Sequence, residues 1–346
     1  MTFSEETRMT TDMIKFLRSW NTDPAHNLAS EQILFESKKP EEIIIFLWQN
    51  DNTVVVGRYQ NVFEEVNTAY AHSVNAKIVR RITGGGAVYH DLGNLNYSFI
   101  VENDGELKSC KTLLKNAFNK LGLNVKFEGR NDIFIDGYKI SGCASCRENG
   151  KILYHGTLLV NSDLDVLERI LTRNNKIFSK SVKSNPKRVK NISSFISNIN
   201  IETVIKAVCG GEKILEVADS HRTAELINNR YANDKWTYGF PPGYVYRNAR
   251  HYGSGQVCVN ADIQDGRIRD IKFSGDFIAL RNIEELENSL INKVFSSSLK
   301  NFLDIHGNGF ILGLQGSDIA LLFENAIIKN NKNKYQEDKN AVNSLL

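Results

Sequence analysis

Three glycines stand next to one another at positions 84 to 86, inside the segment RRITGGGAVYHDLGNLN that runs from Arg80 to Asn96. Glycine loses more backbone entropy on folding than any other residue, so a triplet is favoured where the backbone needs unusual dihedral angles or where a ligand lies directly against it. Successive amides in such a loop can bind a carboxylate or a phosphate. The spacing matches neither a Walker loop nor a dinucleotide-binding fingerprint. The residues alone leave two interpretations open, an anion-binding loop after a strand and a flexible turn.

A second segment, GRNDIFIDGYKISG from Gly129 to Gly142, predicts a β-hairpin with its turn at Asp136-Gly137. Asn131 and Asp132 open the first strand, and Lys139 lies on the second. An ammonium group on the hairpin could contact a bound carboxylate and a phosphate together. Asp132 could hold Mg²⁺ beside phosphates, because that ion commonly uses only one or two protein carboxylates. The plain alternatives are a surface lysine and a strand cap.

The third segment, YHGTLL from Tyr154 to Leu159, interrupts an apolar run with the step His155-Gly156-Thr157. Taken by itself, a lone histidine in an apolar strand is more typical of a hydrogen-bonded core residue than of a catalyst. His90, followed by Asp91, is in turn typical of a turn-forming pair at a strand boundary. Neither histidine indicates a function without its neighbours in the fold.

Length and charge exclude several classes of protein. A chain of 346 residues exceeds what one hydrophobic core usually serves, so we expect one large domain and a smaller one. With 43 basic and 40 acidic residues, the net charge of +3 is too small to predict a nucleic-acid or membrane partner. No stretch is apolar enough for a membrane span and the acidic N-terminus does not resemble a secretory signal, so the expected location is cytoplasmic. Five cysteines, an odd number, favour reduced thiols over a disulfide framework.

Apolar periodicity predicts a mixed α/β order in the first part of the chain. The runs Ile43 to Trp48 and Thr53 to Val56 flank Gln49-Asn50-Asp51-Asn52, which has the composition of a turn, so we expect them to be paired strands. The other predicted strands cover residues 77–82, 94–101, 132–135 and 152–160, and the predicted helices cover 26–36, 109–121, 164–171, 202–208 and 220–231. Residues 176–190 form a polar basic stretch.

A connector follows in the segment WTYGFPPGY, Trp236 to Tyr244, whose prolines and glycines suit a rigid link between two units. We place the domain boundary near residue 247, which gives a first domain of residues 1–247. Beyond it we expect a hairpin of Gln256 to Ile263 with Arg267 to Phe273, and helices over 283–294 and 320–328. Residues 248–330 therefore predict a small α+β domain, and residues 331–346 a polar tail.

Together these segments resemble a known family. GRYQNVFEEVN, RRITGGGAVYHDLGNLNYSF, GRNDIFIDGYKISGCA and YHGTLLVN, in this order between about Leu28 and Phe195, are similar to the lipoate-protein ligases. The connector and the later GDF step, Gly275 to Phe277, resemble the link and accessory domain of the bidomain members. The resemblance implies an α/β catalytic domain of the biotin- and lipoate-ligase kind, with mixed sheets, and an α+β accessory domain at the C-terminus.

The resemblance also implies a reaction and a set of partners. Lipoate and ATP with Mg²⁺ would give lipoyl-AMP, and a lysine of an acceptor would then displace AMP. The acceptors would be lipoyl domains of dehydrogenase acyltransferase subunits or the glycine-cleavage H protein, with neither nucleic acid nor membrane involved, and a monomer is expected.

Site residues follow from the matching motifs. Lys139 would be the catalytic residue, contacting carboxyl and phosphate oxygens, and Asp132 would hold the metal. Lipoate and the adenylate would be bound by Arg81, Gly84, Gly85, Gly86, Val88, His90, Asn131, Asp132, Lys139, Ala144, His155, Gly156 and Thr157.

Two other functions fit parts of the sequence. An acyltransferase could carry a lipoyl or octanoyl group on a Cys143 thioester without a nucleotide, which would need a lowered thiol pKa. A non-catalytic lipoyl-binding module is the second alternative, although it would have no evident need for Lys139. The pair Cys143 and Cys146 lacks the second nearby pair of a structural zinc site, so we expect buried, unreactive thiols.

Overall fold

The computed structural model describes residues 14–128, 132–171, 189–238, 246–264, 267–294 and 298–323. Its contacts divide the chain into two compact units, Met1–Gly239 and Phe240–Leu346. The boundary expected near residue 247 stays a prediction. Asn131, most of the basic stretch, the GFPPGY part of the connector and the polar tail lie outside the described residues.

The described residues of the first unit form two sheets. Eleven strands belong to them: β1 (Ile14–Arg18), β2 (Ile43–Trp48), β3 (Thr53–Val56), β4 (Lys77–Arg80), β5 (Val88–His90), β6 (Asn94–Val101), β7 (Val125–Glu128), β8 (Asp132–Ile135), β9 (Tyr138–Glu148), β10 (Lys151–Leu159) and β11 (Ile214–Glu216). The larger sheet has the order β11-β1-β2-β6-β10-β9-β8-β7, and the smaller has the order β4-β3-β5. β1 pairs parallel with β2 and β11, and β3 pairs parallel with β4, so both sheets are mixed as expected.

Helices pack on both sheets of the first unit. They are α1 (Pro24–Ser37), α2 (Val62–Glu65), α3 (Thr68–Ser73), α4 (Asp104–Lys120), α5 (Leu164–Ile170), α6 (Ile201–Cys209), α7 (His221–Leu226), which continues as a π-helical turn (Ile227–Tyr231), and α8 (Asp234–Tyr238). One apolar cluster includes Tyr97 and Phe118 and joins the sheet to α4 and α6. A second includes Leu28 and Phe46 and joins it to α1. All eight residues of β6 are buried, because apolar layers cover both faces of that strand.

One predicted strand pairing is wrong. β2 pairs with β1 and β6, whereas β3 pairs with β4 and β5 in the other sheet. The turn between them is tied to the start of α1 instead, because Asn27 Nδ2 donates to Gln49 O at 2.7 Å and Asp51 N donates to Thr22 O at 3.0 Å. Residues 49–52 therefore connect two strands, as their composition predicts, but the chain passes there from the larger sheet to the smaller one.

The predicted hairpin of β8 and β9 is confirmed, and it contains a β-bulge. Asp136 and Gly137 have φ angles of 49° and 78°, as a two-residue hairpin turn requires. Ile133 pairs with Ser141 and Phe134 pairs with Lys139, so Ile140 is the extra residue on β9. Such a bulge changes which side chains share a face of the sheet. Lys139 consequently lies on the same face as Gly142 rather than on the opposite one.

The second unit holds a three-stranded antiparallel sheet with helices. Its strands are β12 (Tyr246–Tyr252), β13 (Gly255–Gln264) and β14 (Arg267–Gly275), in this order, and its helices include α9 (Ile283–Leu290) and α10 (Ser298–His306), while residues 316–323 are also helical. The β13–β14 pairing confirms the predicted hairpin.

The helix predicted to end at Val294 ends at Leu290 instead. Asn292 has a φ of 64°, and its N–H donates to Ile268 O at 2.8 Å. Val294 then forms an antiparallel bridge with Arg267. The backbone groups of these residues are satisfied by the edge of β14, which replaces a further helical turn.

Candidate functional site

The glycine triplet follows β4 after three intervening residues, and its middle residue is closely packed. Gly85 has a φ of 84°, which favours glycine, and a methyl group on it would lie 3.1 Å from Arg81 Nη2 and 3.3 Å from Ala144 Cβ. A methyl group on Gly57 would come within 2.1 Å of the Gly85 carbonyl oxygen, so the two backbones touch. Gly86 is exposed and has open space where a side chain would be. Close packing explains the glycine at position 85, whereas packing does not explain the one at position 86.

Arg81 orients the loop through its carbonyl groups. The guanidinium, almost wholly buried, donates to Gly84 O at 2.6 Å and to Gly86 O at 2.8 Å from Nη2, and to Val55 O at 3.1 Å from Nη1. Burial lowers the pKa of Arg81 to about 10, against the favourable effect of Glu31, so the side chain stays charged at neutral pH. Because these carbonyls point toward Arg81, we infer that it sets the shape of the loop.

A chain of buried hydrogen bonds leads from the loop to α1. Arg81 Nε donates to Thr83 Oγ1 at 2.9 Å, and Thr83 Oγ1 lies 2.8 Å from His155 Nε2. His155 Nδ1 lies 2.8 Å from Glu31 Oε1, which also accepts from Ser98 Oγ at 2.5 Å. A carboxylate only accepts, so the His155 proton is assigned to Nδ1, and Thr83 then donates to Nε2. His155 is therefore a hydrogen-bonded buried histidine, as its segment alone indicated, and it also contacts the loop residue Thr83.

Glu31 and Trp48 are not among the predicted site residues, although the Trp48 indole Nε1 donates to Ser98 Oγ at 3.0 Å. The signal in the sequence that could have identified Glu31 is its position as a glutamate among apolar residues in the predicted helix over 26–36. Glu31 is 1% exposed, and a buried carboxylate needs such donors.

His90 is buried nearby and keeps one ring nitrogen without a partner. Its Nδ1 faces the amide groups of Asn50 at 3.2 Å and Asn96 at 3.4 Å, and both can donate to it. Burial lowers the pKa of His90 to about 3, with Arg81 and His155 adding to the effect. The ring is thus neutral with its proton on Nε2, which has no acceptor among the described residues. A buried N–H group of this kind is suited to a ligand oxygen.

One face of the larger sheet carries most of the other predicted site residues. Asp132 is opposite Gly142 across β8 and β9, and Ala144 is opposite His155 across β9 and β10. The Gly142 N–H donates to Thr157 Oγ1 at 3.2 Å, so Thr157 lies on this face as well. Since Ala144 is the neighbour of Gly85, this face borders the glycine triplet.

Lys139 reaches this face through the bulge. Its Nζ lies 2.9 Å from Asp132 Oδ1, and a methyl group on Gly142 would lie 3.6 Å from the same nitrogen. Both side chains are 36% exposed, so the ammonium and the carboxylate are accessible to a solute. The hairpin lysine and the predicted metal-binding aspartate are therefore direct neighbours.

Gly156 and Val88 are placed differently. Gly156 pairs with Cys143, and a methyl group on it would lie 2.6 Å from Tyr97 Oη and 2.7 Å from Cys143 Sγ, on the opposite face of the sheet. Packing against these groups accounts for that glycine. Val88 is half-buried at the start of β5 and packs against the apolar cluster beneath α1.

Cys143 is in an apolar and aromatic environment. Its Sγ lies 3.0 Å from Tyr97 Oη and 3.4 Å from Ser141 Oγ. Burial raises the pKa of the Cys143 thiol, although the hydrogen bonds from Ser141, Tyr154 and Tyr97 act in the other direction. Burial also raises the pKa of Cys146. None of the five cysteines, all of which the structure describes, is in a disulfide.

Both parts of the chain match known protein families. Residues 23–211 match the family model of the lipoyl protein ligase A/B catalytic domain, and residues 241–322 match that of the bacterial lipoate protein ligase C-terminus. The chain belongs to the lipoate-protein ligase family. Its members in the comparison are named as ligases, so the chain is an enzyme of that class.

Relatives cover most of this ligase. Lipoate–protein ligase 1 of Staphylococcus aureus is 37% identical over 293 residues, which are 80% of this chain and 89% of the relative. Lipoate-protein ligase LplJ of Bacillus subtilis is 34% identical over 294 residues, again 80% of this chain and 89% of the relative. The expected family is thereby confirmed.

Solved structures confirm the α/β fold of the ligase. LipL1 of P. falciparum in complex with lipoate has a TM-score of 0.72 at 25% identity, covering 81% of this chain and 90% of that one. A lipoate-protein ligase A bound with ATP has a TM-score of 0.55 at 26% identity, covering 66% and 98%. A structure described as a bi-partite lipoate protein ligase and its E2 lipoyl domain, from Thermoplasma acidophilum, has a TM-score of 0.56 at 27% identity, covering 67% and 98%.

Two other expectations concern the location of the ligase and its metal. None of the helices in the described part of the chain is long and apolar enough to span a membrane, and the cytoplasmic location stays a prediction. Within the same residues, no three His, Cys, Asp or Glu side chains form a cluster, so a metal site made entirely of protein ligands is not found there.

Proposed function

We propose that this ligase joins lipoate to ATP as lipoyl-AMP and transfers the lipoyl group to a lysine of a lipoyl domain or of a glycine-cleavage H protein. One observation carries the proposal: the bulge brings Lys139 onto the sheet face that borders the glycine triplet. Asp132, Gly142, Ala144 and His155 lie on the same face, and Ala144 is the neighbour of Gly85. A point charge at that place suits a reaction in which a carboxylate and a phosphate meet.

In this proposal the lipoyl chain lies along Gly84 to Gly86, bordered by Arg81, Val88, His90 and His155. The open space at Gly86 allows a ligand to approach the backbone closely. The unpartnered Nε2–H of His90 supplies a buried donor for a ligand oxygen. Because Arg81 already donates to Gly84 O and Gly86 O, it acts by shaping the loop.

The nucleotide would use the hairpin side of the same face. Asp132, Lys139, Ala144 and Thr157 lie there, and Asn131, outside the described residues, precedes Asp132 in sequence. A single accessible carboxylate fits Mg²⁺, which is usually held by one or two carboxylates together with substrate phosphates. When bound, this ion would neutralise charge on the phosphates.

The chemistry requires positioning more than a protein nucleophile. A carboxylate oxygen of lipoate attacks the α-phosphorus of ATP, the bond to pyrophosphate breaks, and the mixed anhydride forms. The Lys139 ammonium donates to the oxygens on which negative charge increases, which lowers the barrier electrostatically. The amine of the acceptor lysine then attacks the acyl carbon, and AMP leaves.

The alternative thioester route finds little support in the surroundings of Cys143. A nucleophilic thiol needs a lowered pKa, and burial raises that of Cys143. Its partners, Tyr97 and Ser141, belong to the opposite face from Lys139 and His155. The thiol is thus separated from the site by the sheet itself.

The proposal is tested by incubating the protein with lipoate, ATP and Mg²⁺, with and without purified lipoyl domains and H protein, and measuring AMP and acceptor mass. AMP formed together with a lipoylated acceptor is the expected result. Lipoyl transfer without AMP would replace the proposal with the acyltransferase. Binding of lipoate without any turnover would replace it with the non-catalytic module.

A further inference from the structure

Arg80, next to Arg81 in sequence, has a different set of partners. The residue is 3% exposed, and within the described residues every hydrogen bond of its guanidinium goes to a main-chain carbonyl oxygen. Nη1 donates to Gly57, Arg58 and Gln60 at 2.8, 3.0 and 2.7 Å. Nε donates to Trp236 at 2.9 Å, and Nη2 donates to Thr237 at 2.6 Å. One side chain thus joins two stretches of backbone that are far apart in sequence.

The first of these stretches is the turn from Gly57 to Gln60, which contacts the glycine triplet. The Arg58 N–H donates to Thr83 O at 2.8 Å, and the Gly57 N–H donates to Gln60 Oε1 at 2.9 Å. Gly57 itself packs on the Gly85 carbonyl. A displacement of this turn therefore displaces Thr83 and Gly85.

The second stretch is α8, the last described element before the chain enters its second unit at Phe240. Trp236 Nε1 donates to Arg80 O at 2.9 Å, so the contact runs in both directions. The guanidinium groups of Arg230 and Arg58 also lie over the Trp236 ring, with Cζ 4.8 Å and 5.5 Å from the ring centroid. α8 is consequently held against β4 by hydrogen bonds, and its Trp236 ring makes cation–π contacts with Arg58 and Arg230.

We propose that Arg80 is a positioning residue for lipoyl-AMP formation, which fixes the turn of residues 57–60 against the glycine triplet and ties both to α8. The inference rests on the proposed function. Within the described residues, no hydrogen bond of the Arg80 guanidinium goes to the sheet face that carries Lys139 and His155, so we infer that Arg80 acts through Gly57 and Arg58. A planar guanidinium with five donors can serve five carbonyls in different directions, whereas a lysine ammonium has three donors on one nitrogen.

The test compares Arg80→Lys with wild type in pyrophosphate exchange, using lipoate, ATP and Mg²⁺ without an acceptor. A shift of about 1 Å in reacting groups costs on the order of 100-fold in rate. We expect kcat of the exchange to fall about 100-fold, while KM for ATP changes less than about threefold, because the hairpin groups proposed to bind the nucleotide remain in place. The matched control is Arg18→Lys, since Arg18 is also buried but pairs with Glu202 on α6. It should keep the wild-type kcat.

A second variant keeps the inference testable if Arg80→Lys does not fold. Trp236→Phe keeps an aromatic side chain and removes the bond to Arg80 O, and the loss of that hydrogen bond, worth about 1 kcal/mol, should lower kcat at least about fivefold. Trp20→Phe is its control, because Trp20 is exposed and stacks on Arg18.

The outcomes separate the inference from the proposed function. Folded Arg80→Lys with wild-type kcat overturns the inference alone, and so does wild-type kcat in Trp236→Phe if the arginine variant is unfolded. Wild-type protein that exchanges no pyrophosphate overturns the proposed function, and the inference with it.

Discussion

Glu31 and His155 are 124 residues apart in sequence, and their side chains meet at 2.8 Å in the core of the catalytic unit. The same carboxylate oxygen accepts from Ser98, so one oxygen orders α1, β6 and β10 together. His155 in turn contacts Thr83, the residue before the glycine triplet. The buried charge of Glu31 is thus connected to the shape of the proposed binding loop.

Replacing Glu31 should destabilise the protein. Glu31→Ala leaves the His155 and Ser98 donors buried without an acceptor, which should lower the free energy of unfolding by about 3 kcal/mol. Glu31→Gln keeps an acceptor oxygen and should cost about 1 kcal/mol. Urea denaturation measures both. Glu36→Gln is the control on the same helix, because its partner Arg222 is largely exposed, and it should change stability by less than about 0.5 kcal/mol. Equal effects of Glu31→Ala and Glu36→Gln would contradict the buried network.

The sequence predicted the features of this site that depend on local chemistry. Asp136-Gly137 predicts the hairpin because a two-residue turn needs positive φ angles. The glycine triplet predicts the loop because Gly85 has a positive φ angle. The Ile140 bulge, which decides where Lys139 lies, has no local signature, since it appears only when β8 and β9 are aligned. Likewise β1 was missed, because its parallel pairing with β2 and β11 joins distant segments. The Glu31–His155 contact also joins distant segments, so it could not be predicted from local sequence either.

Gly86 offers a test of ligand contact that spares the fold. A methyl group there meets no atom within 4 Å, so Gly86→Ala should leave the thermal midpoint within about 2 °C of wild type. If lipoate or its adenylate lies against this backbone, the methyl should weaken lipoate binding at least about tenfold, measured by calorimetry. Gly253→Ala, another open glycine, belongs to the second unit and should change neither property. Unchanged lipoate affinity in Gly86→Ala would place the ligand elsewhere.

His90 should make the stability of the protein depend on pH. Its pKa is about 3 in the folded protein and about 6.5 in an unfolded chain, so below pH 6.5 the unfolded state binds the extra proton. The contribution of His90 is therefore complete above pH 6.5 and is lost as the pH falls toward 3, by about 1.4 kcal/mol per pH unit. Between pH 7 and pH 5 the wild type should lose about 2 kcal/mol more than His90→Gln, which does not titrate. Equal losses of unfolding free energy in the wild type and in His90→Gln, measured by urea denaturation at the two pH values, would argue against the buried neutral ring.

Lys139 should be needed for the chemical step and not for the fold. Its side chain is 36% exposed and its ion pair with Asp132 is accessible, so Lys139→Gln should lower the free energy of unfolding by less than about 1 kcal/mol. Loss of a positioned ammonium at the reacting oxygens should lower the rate of lipoyl-AMP formation at least about 100-fold, corresponding to about 3 kcal/mol of transition-state stabilisation. Lys126→Gln on β7 provides the comparison, because Lys126 is exposed two strands away, opposite Phe134, and its loss should leave the rate unchanged. Stopped-flow measurement of pyrophosphate release would record both rates, and a Lys139 variant as fast as the Lys126 variant would remove the ammonium from the mechanism.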